Sequence, residues 1–527
     1  MHVRESRALR LPLVALALAL AACSSSGRAE PEVELSPVEA RISPAAGAET
    51  ITADEMMAHI SFLASDELGG RDTPSPGLER AAVYLEEAFR SAGLQPAGDN
   101  GSFLQRWTFE QTSLRSAEVA VEISSGESSE VLEHAVDFFV LPSDDEVVSG
   151  GIEFLGPIDV LLGDSIPQST GRIAVVTTPP SMGMEVLLAA RVAGEAGASG
   201  LLLVLDPQLP PEVISMVAGQ IEGGGLPAQP VPTVGVTWSV AQQIVAGADT
   251  DLEALLAAYD SEGPVAGPIP LEGPLLTIRT PRDRVTSTPP NVVGLLRGSD
   301  PDLAETYVVL TAHFDHVGIG EPNAEGDSIY NGADDDASGT AVLLEVAQAF
   351  QALPRSPGRS VVFLAVSGEE KGLLGAEHYA EEPTVPLHGI VANINLDMIG
   401  RNAPDTLIAI GQEFTSLGDL SKTIASHHPE IGLTIAPDPD PSEQLFFRSD
   451  HLAFVKKDIP AIFFTTWDHE DYHQPSDEAH LIDADKAARV ARFTFLLTWH
   501  VAEDEMAPSW NEGALDEVHA ILENSPF

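Results

Sequence analysis

The chain has 527 residues, enough for two or three domains with large cores, and 44% of them are apolar, an ordinary share for a globular protein. Its 27 Lys and Arg stand against 80 Asp and Glu, a formal charge of -53. A field of that sign repels nucleic-acid phosphates and anionic membrane surfaces, which argues against a nucleic-acid partner.

Residues 1–23 have the parts of an export signal: Arg4, Arg7 and Arg10, then an apolar run over 11–22. That run falls short of the roughly 20 residues that a permanent membrane span requires. It ends Leu20-Ala21-Ala22-Cys23, which resembles the bacterial lipoprotein box. The resemblance implies a diacylated Cys23 as the mature N-terminus. The expected location is then the envelope of a bacterial cell, periplasm or outer surface, with the lipid anchor as the only membrane attachment and plain secretion as the alternative. Cys23 is the single cysteine, so no intrachain disulfide can form and no thiolate serves as ligand or nucleophile elsewhere. Residues 24–50, rich in Ser, Pro, Ala and Glu, read as a flexible linker.

The folded part opens at Thr52, which with Glu55 makes a capping-box signature. A second helix is expected over about 77–92, with Leu78, Ala82, Leu85 and Phe89 on one face and Gly93 as its stop. Residues 68–77 read as a loop, and 117–123 as a strand. Over about 136–267 the pattern changes to a strand near 171–178, an Ala-rich helix over 184–198, a strand over 200–205, a strand over 231–237 and a helix over 240–246. No His occurs between His134 and His313, so catalytic metal is not expected in this block. Its order of elements resembles the protease-associated domain, a small β-rich insert. From Asn291 onward strands and helices alternate. Strands are expected at 306–312, 359–366, 390–397, 406–410 and 459–466; helices at 338–352, 372–380, 414–426 and 483–500. This alternation predicts a three-layer α/β sandwich around a mainly parallel mixed sheet. Residues 503–527 read as an acidic tail.

Acids and imidazoles follow the apolar runs of this last region. They include His313-Phe-Asp315-His316, Asn331-Gly-Ala-Asp334-Asp335-Asp336-Ala-Ser-Gly, Gly-Glu369-Glu370 and Asp397. Later come Arg448-Ser-Asp450-His451 and Asp471-Tyr472-His473-Gln-Pro-Ser-Asp477. In open α/β sheets a site lies outside the carboxyl ends of the strands, where these side chains fall. Two adjacent metal ions need a bridging carboxylate, His and carboxylate ligands on each side, and a base for the shared water. In their order these blocks resemble the co-catalytic di-zinc exopeptidases, the family of the bacterial secreted aminopeptidases and glutamate carboxypeptidase, over roughly 50–135 and 275–500.

The resemblance implies a peptidase domain in two parts, 51–135 and 268–502, with an insert at 136–267. It implies two zinc ions per chain and peptide substrates. His313 and Asp397 would hold one zinc, Glu370 and His473 the other, and Asp335 would bridge them, followed by a cis peptide. Glu369 would be the general base, Tyr472 a donor to the oxyanion, and Asp334 spare. Asp315 would fix the tautomer of His313, and Asp450 with Arg448 would support the site. The alternative for Arg448 is to read a substrate carboxylate. His316, His378, His451, His469 and His480 are expected at the surface or behind the ligands. His469-Glu-Asp-Tyr-His473 spells a zincin motif, which works only on a helix, and here a loop is expected. The leading activity is that of an aminopeptidase. A carboxypeptidase, a glutaminyl cyclase and an inactive receptor-like protein are the alternatives.

Overall fold

The computed structural model describes residues 44–524 apart from 126–127, 142, 144–145, 164–165, 181–184, 211, 223–228 and 263–266. The export signal with Cys23, and most of the linker expected at 24–50, lie outside the described residues. The end of that linker is not a tether. Residues Ala45–Ala48 form a short helix whose Gly47 is buried so tightly that a Cβ would stand 2.5 Å from the Phe495 ring. Arg492 Nη2 donates to Ile51 O at 2.7 Å and ties the segment down.

The main sheet has nine strands. Its path runs Gln95–Pro96, Pro290–Leu296, Ser360–Val366, Tyr307–His313, Ile390–Leu396, Ala461–Thr465, Thr406–Ile410 and Thr434–Ala436, with Leu104–Arg106 also on Pro290–Leu296. The four strands from Ser360–Val366 to Ala461–Thr465 are parallel, and their neighbours on both sides are antiparallel. Every residue of Tyr307–His313 and Ser360–Val366 is buried, as an uninterrupted apolar run requires when helices cover both faces. Side chains alternate between the layers. Val308, Leu310, Phe363 and Ala365 pack with helices Ala53–Leu63, Pro76–Ser91, Gly339–Gln351 and Ala484–Glu503. Val309, Val362 and Leu364 pack with helix Leu374–Glu381 and with Phe454. The three-layer sandwich with a mixed sheet is thus as expected. Helix Ala53–Leu63 is capped by Thr52, which accepts from Glu55 N, and helix Pro76–Ser91 by Ser75, with Pro76 in its first turn.

Strand Tyr307–His313 lies between the next two strands of this sheet in chain order, Ser360–Val366 on one side and Ile390–Leu396 on the other. The chain therefore changes direction there, and in open α/β sheets a site lies outside the carboxyl ends of the strands at such a point.

A second, eight-stranded sheet runs Ser128–Val131, Ala120–Ser125, Ile269–Arg279, Val147–Pro157, Ile173–Thr177, Gly200–Val204, Thr233–Val236 and Phe138–Leu141. Its limits differ from the insert expected at 136–267. The strands at 120–131 and 269–279 join it because Ile269–Arg279 pairs with Ala120–Ser125 on one side and Val147–Pro157 on the other. Helices Val213–Glu222 and Leu252–Glu262 in this unit were not expected. The acidic C-terminal stretch carries a short helix that packs on the body of the protein. Helix Ala514–Asn524 buries Val518 among Phe446, Phe463 and Leu452, and Trp510 Nε1 donates to Asp458 O at 2.8 Å.

Candidate metal centre

His313 closes its strand, and Asp315 and His316 follow at once on the loop. Gly332, at φ +58°, turns the chain into 333–338, where the Asp335–Asp336 peptide is cis. Glu369 and Glu370 lie beyond the end of strand Ser360–Val366, after Gly368 at φ +79°, and Asp397 directly follows Ile390–Leu396. The two adjacent Glu thus stand on a turn past the strand and not on the strand itself. His473, at φ +51°, comes from the loop after Ala461–Thr465.

These side chains meet in two sets, His313, Asp336 and Asp397, and His316, Asp335, Glu370 and His473. Asp335 stands between them. Its Oδ1 is 3.1 Å from His313 Nε2, and its Oδ2 is 3.2 Å from His473 Nε2. His313 Nε2 is 3.5 Å from Asp397 Oδ1, and His473 Nε2 is 3.1 Å from Glu370 Oε2. Donors on a tetrahedral ion with arms of about 2.0 to 2.2 Å lie roughly 3.3 to 3.6 Å apart, close to the spacing seen here. Asp335 Oδ2, Asp336 Oδ2 and Glu370 Oε1 are buried and have no hydrogen-bond partner. Buried oxygens without partners, in a set of imidazoles and carboxylates, fit bound metal.

The charges agree with that fit. Burial would raise Asp335, but His316, His313 and His473 hold it well below the usual carboxylate range. Against burial and the charge of Asp335, His316 and His473 bring Glu370 down to about 2. Burial opposes the proton on His473, yet Asp335 and Glu370 push its pKa up to about 10. The excess of acid that draws protons onto the imidazoles equally favours a cation.

Several side chains hold this cluster in place. Buried Arg71, in the segment read as a loop, donates to Phe314 O at 2.8 Å, Asn331 O at 2.6 Å, Gly332 O at 2.9 Å and Leu63 O. It clamps the loops that carry His313 and Asp335. Asp477 Oδ2 accepts from Asp334 N at 3.0 Å and Asp335 N at 3.1 Å. Asp334 is not spare: its Oδ1 accepts from Gly400 N at 2.6 Å, and its Oδ2 lies 3.3 Å from His469 Nε2. Asp336 Oδ1 accepts from Met398 N at 3.1 Å, beside Asp397. Ser449 donates to Asp397 Oδ2 at 2.8 Å and receives Asn395 Nδ2 at 2.7 Å.

The expected partner of His313 is corrected. Its Nδ1 is 3.2 Å from the backbone oxygen of Asp315, whereas the Asp315 carboxylate stands 3.8 Å away. That carboxylate instead accepts from Thr73 Oγ1 at 2.9 Å and Glu369 N at 3.3 Å, and burial lifts its pKa to about 6. Glu369 keeps some contact with solvent, but burial and the charges of Glu370, Asp450 and Asp397 hold its carboxyl well above the usual range. Asp450 is wholly buried with neither oxygen hydrogen-bonded, and its pKa rises to about 8. Tyr472 stacks on His473 with ring centroids 4.0 Å apart, and burial with the nearby acids keeps its phenol protonated. Arg448 is exposed, 3.7 Å from Glu443.

Of the remaining histidines, His316 and His451 are fully buried, and His469 is nearly so. His316 belongs to the cluster itself, a position that its place three residues after His313 did not reveal. The segment from His469 to His473 is a turn in which Tyr472 N donates to His469 O at 3.0 Å, so it is not the helix that a zincin needs. Its two imidazoles part, His469 to Asp334 and His473 to Asp335.

A mixed sheet with this double cluster at its strand ends defines the class of the co-catalytic metal exopeptidases. Residues 291–518 match the model of peptidase family M28. Its fold is similar to that of an aminopeptidase from Aneurinibacillus sp. strain AM-1, with a TM-score of 0.55 at 21% identity, covering 88% of this chain and 97% of that one. In sequence it is 41% identical over 112 residues to a "Probable zinc metalloprotease" of Pyrenophora teres f. teres (strain 0-1), 21% of this chain and 23% of that protein. It is 25% identical over 235 residues to aminopeptidase YwaD of Bacillus subtilis (strain 168), 42% of this chain and 46% of that protein. It is 28% identical over 303 residues to a glutamate carboxypeptidase 2 homolog of Caenorhabditis elegans, 50% of this chain and 37% of that protein. The chain spans from about a quarter to just over half of the length of the curated relatives it matches.

Proposed function

We propose that the chain is a zinc-dependent aminopeptidase that removes N-terminal residues from peptides, with two zinc ions on the two sides of Asp335. One observation carries the reading: the two oxygens of Asp335 face separate imidazoles, His313 at 3.1 Å and His473 at 3.2 Å. His313, Asp335 and Asp397 would hold one ion, and Asp335, Glu370 and His473 the other. Zinc bound there would supply a water acidified to near neutrality and a Lewis acid for the scissile carbonyl.

The chain's own groups do the rest. Glu369 accepts a proton from the attacking water and delivers it to the leaving amine. Its raised proton affinity, from burial and the acids around it, suits a group that must take up and return a proton. Asp315 orients it through the bond from Glu369 N. The Tyr472 phenol, kept protonated beside His473, donates to the carbonyl oxygen as charge develops there. The formal charge of -53 suits capture of a terminal ammonium better than of a terminal carboxylate.

Glu369→Gln should keep its zinc and lose hydrolysis by roughly 100- to 10,000-fold, whereas Glu470→Ala should cost little. A panel of peptides blocked at one end or the other, with products identified, tests the direction of cleavage. Release of C-terminal residues would make it a carboxypeptidase. Activity unaffected by a chelator would end the zinc reading.

A further inference from the structure

We propose that His316 is a further metal donor, its Nδ1 joining Asp335, Glu370 and His473 as a fourth protein ligand on that side. The proposal rests on the two-zinc reading above and adds one imidazole to it.

His316 is fully buried on the loop that leaves strand Tyr307–His313. Its Nδ1 is 2.8 Å from Glu370 Oε1 and 3.5 Å from Asp335 Oδ2, and it shares one potential ion position with Asp335, Glu370 and His473. The short contact is not a hydrogen bond. Neither ring nitrogen of His316 has a hydrogen-bond partner, nor does Glu370 Oε1, so the carboxylate oxygen is near the ring without lying along an N–H direction. A neutral imidazole carries one N–H and one lone pair, and burying either unused is costly. An ion on the Nδ1 lone pair would satisfy it and Glu370 Oε1 together. A histidine that merely supported Glu370 from behind would instead present an aligned N–H.

The ring is also held in this orientation. The backbone of Gly332 packs against it so closely that a Cβ at Gly332 would stand 2.5 Å from His316 Cγ and 2.7 Å from Cδ2. The His473 ring meets it edge-on, with centroids 5.5 Å apart at 73°. His316 N donates to Arg71 O at 3.3 Å. The imidazole is thus fixed by the same turn that delivers Asp335.

The consequence is an asymmetric pair. The side of His313 and Asp397 would have three protein donors and the side of His316 four, so the ion on the His316 side would be the more firmly held. X-ray absorption at the zinc edge of the full chain loaded with two equivalents of zinc tests this. Three imidazoles shared by two ions, one and a half per ion, are expected, and one per ion in His316→Ala. In chelator competition the wild type should release one ion readily and hold the other, and His316→Ala should weaken the second by at least roughly 10-fold. One imidazole per ion in the wild type would overturn the proposal, whether or not the variant folds, and would leave the two-zinc reading standing. Failure to bind zinc at all would defeat both.

Discussion

Arg71 offers a test of how the site is held, and Arg71→Met is the perturbation. The substitution keeps an apolar stem of similar length and removes every donor. Four buried carbonyls then lose a partner: Leu63 O, Phe314 O, Asn331 O and Gly332 O. An unsatisfied buried acceptor costs about 1 to 3 kcal/mol, so four sum to roughly 4 kcal/mol at the low end. The low end applies because the variant no longer has to bury a guanidinium and its loops can relax. Because the described residues form two large sheets, the urea midpoint of the transition coupled to zinc release is the quantity to follow. A loss of about 4 kcal/mol at a slope of up to 3 kcal/mol/M moves that midpoint by about 1 M or more. Zinc retention should fall with it, because three of the four carbonyls lie on the loops of His313 and Asp335. Arg71→Lys should rescue little, since an ammonium lacks the planar fork that reaches four acceptors at once. A midpoint within about 0.2 M of the wild type, with zinc retention unchanged, would refute the clamp.

Two further outcomes follow from buried groups near the site. His451 is enclosed by Phe463 and Phe446, and burial lowers its pKa from 6.5 to about 3. The unfolded chain therefore takes up a proton below about pH 6.5 that the folded chain refuses until about pH 3. Stability falls as pH drops through that window, by up to about 1.4 kcal/mol per pH unit from this group. His451→Phe should flatten the fall of the urea midpoint between about pH 6.5 and 4, and parallel slopes in the two proteins would refute the assignment. Gly332→Ala places a side chain at φ +58° with its Cβ 2.2 Å from Asp335 O. It should cost at least about 1 to 2 kcal/mol in unfolding and weaken zinc retention, and a wild-type midpoint would contradict it.

The sequence by itself determined the sheet that carries the site and the residues that gather there. Strands buried on both faces must be continuous apolar runs, so Tyr307–His313, Ser360–Val366 and Ile390–Leu396 announce themselves, and the acids just past their ends mark the site. The resemblance of these runs to the di-zinc exopeptidases picked out His313, Asp335, Glu370, Asp397 and His473, which the structure gathers together with His316 and Asp336, two residues it did not pick out. Tertiary structure alone decided how their neighbours divide the work. Asp315 and His316 are consecutive, yet one turns to Thr73 and Glu369 N and the other to Glu370. Asp334 looks idle beside Asp335 until Gly400 and His469 arrive from later loops. Arg71 is 260 residues from Asn331, and Ile278 pairs with Val121 on the neighbouring strand, from the other side of the block 136–267 in sequence. Periodicity and turn chemistry report what a residue does to its near neighbours along the chain. They carry no record of which distant backbone a guanidinium or a strand edge will meet, and those meetings form the clamp around the site and the limits of the second sheet.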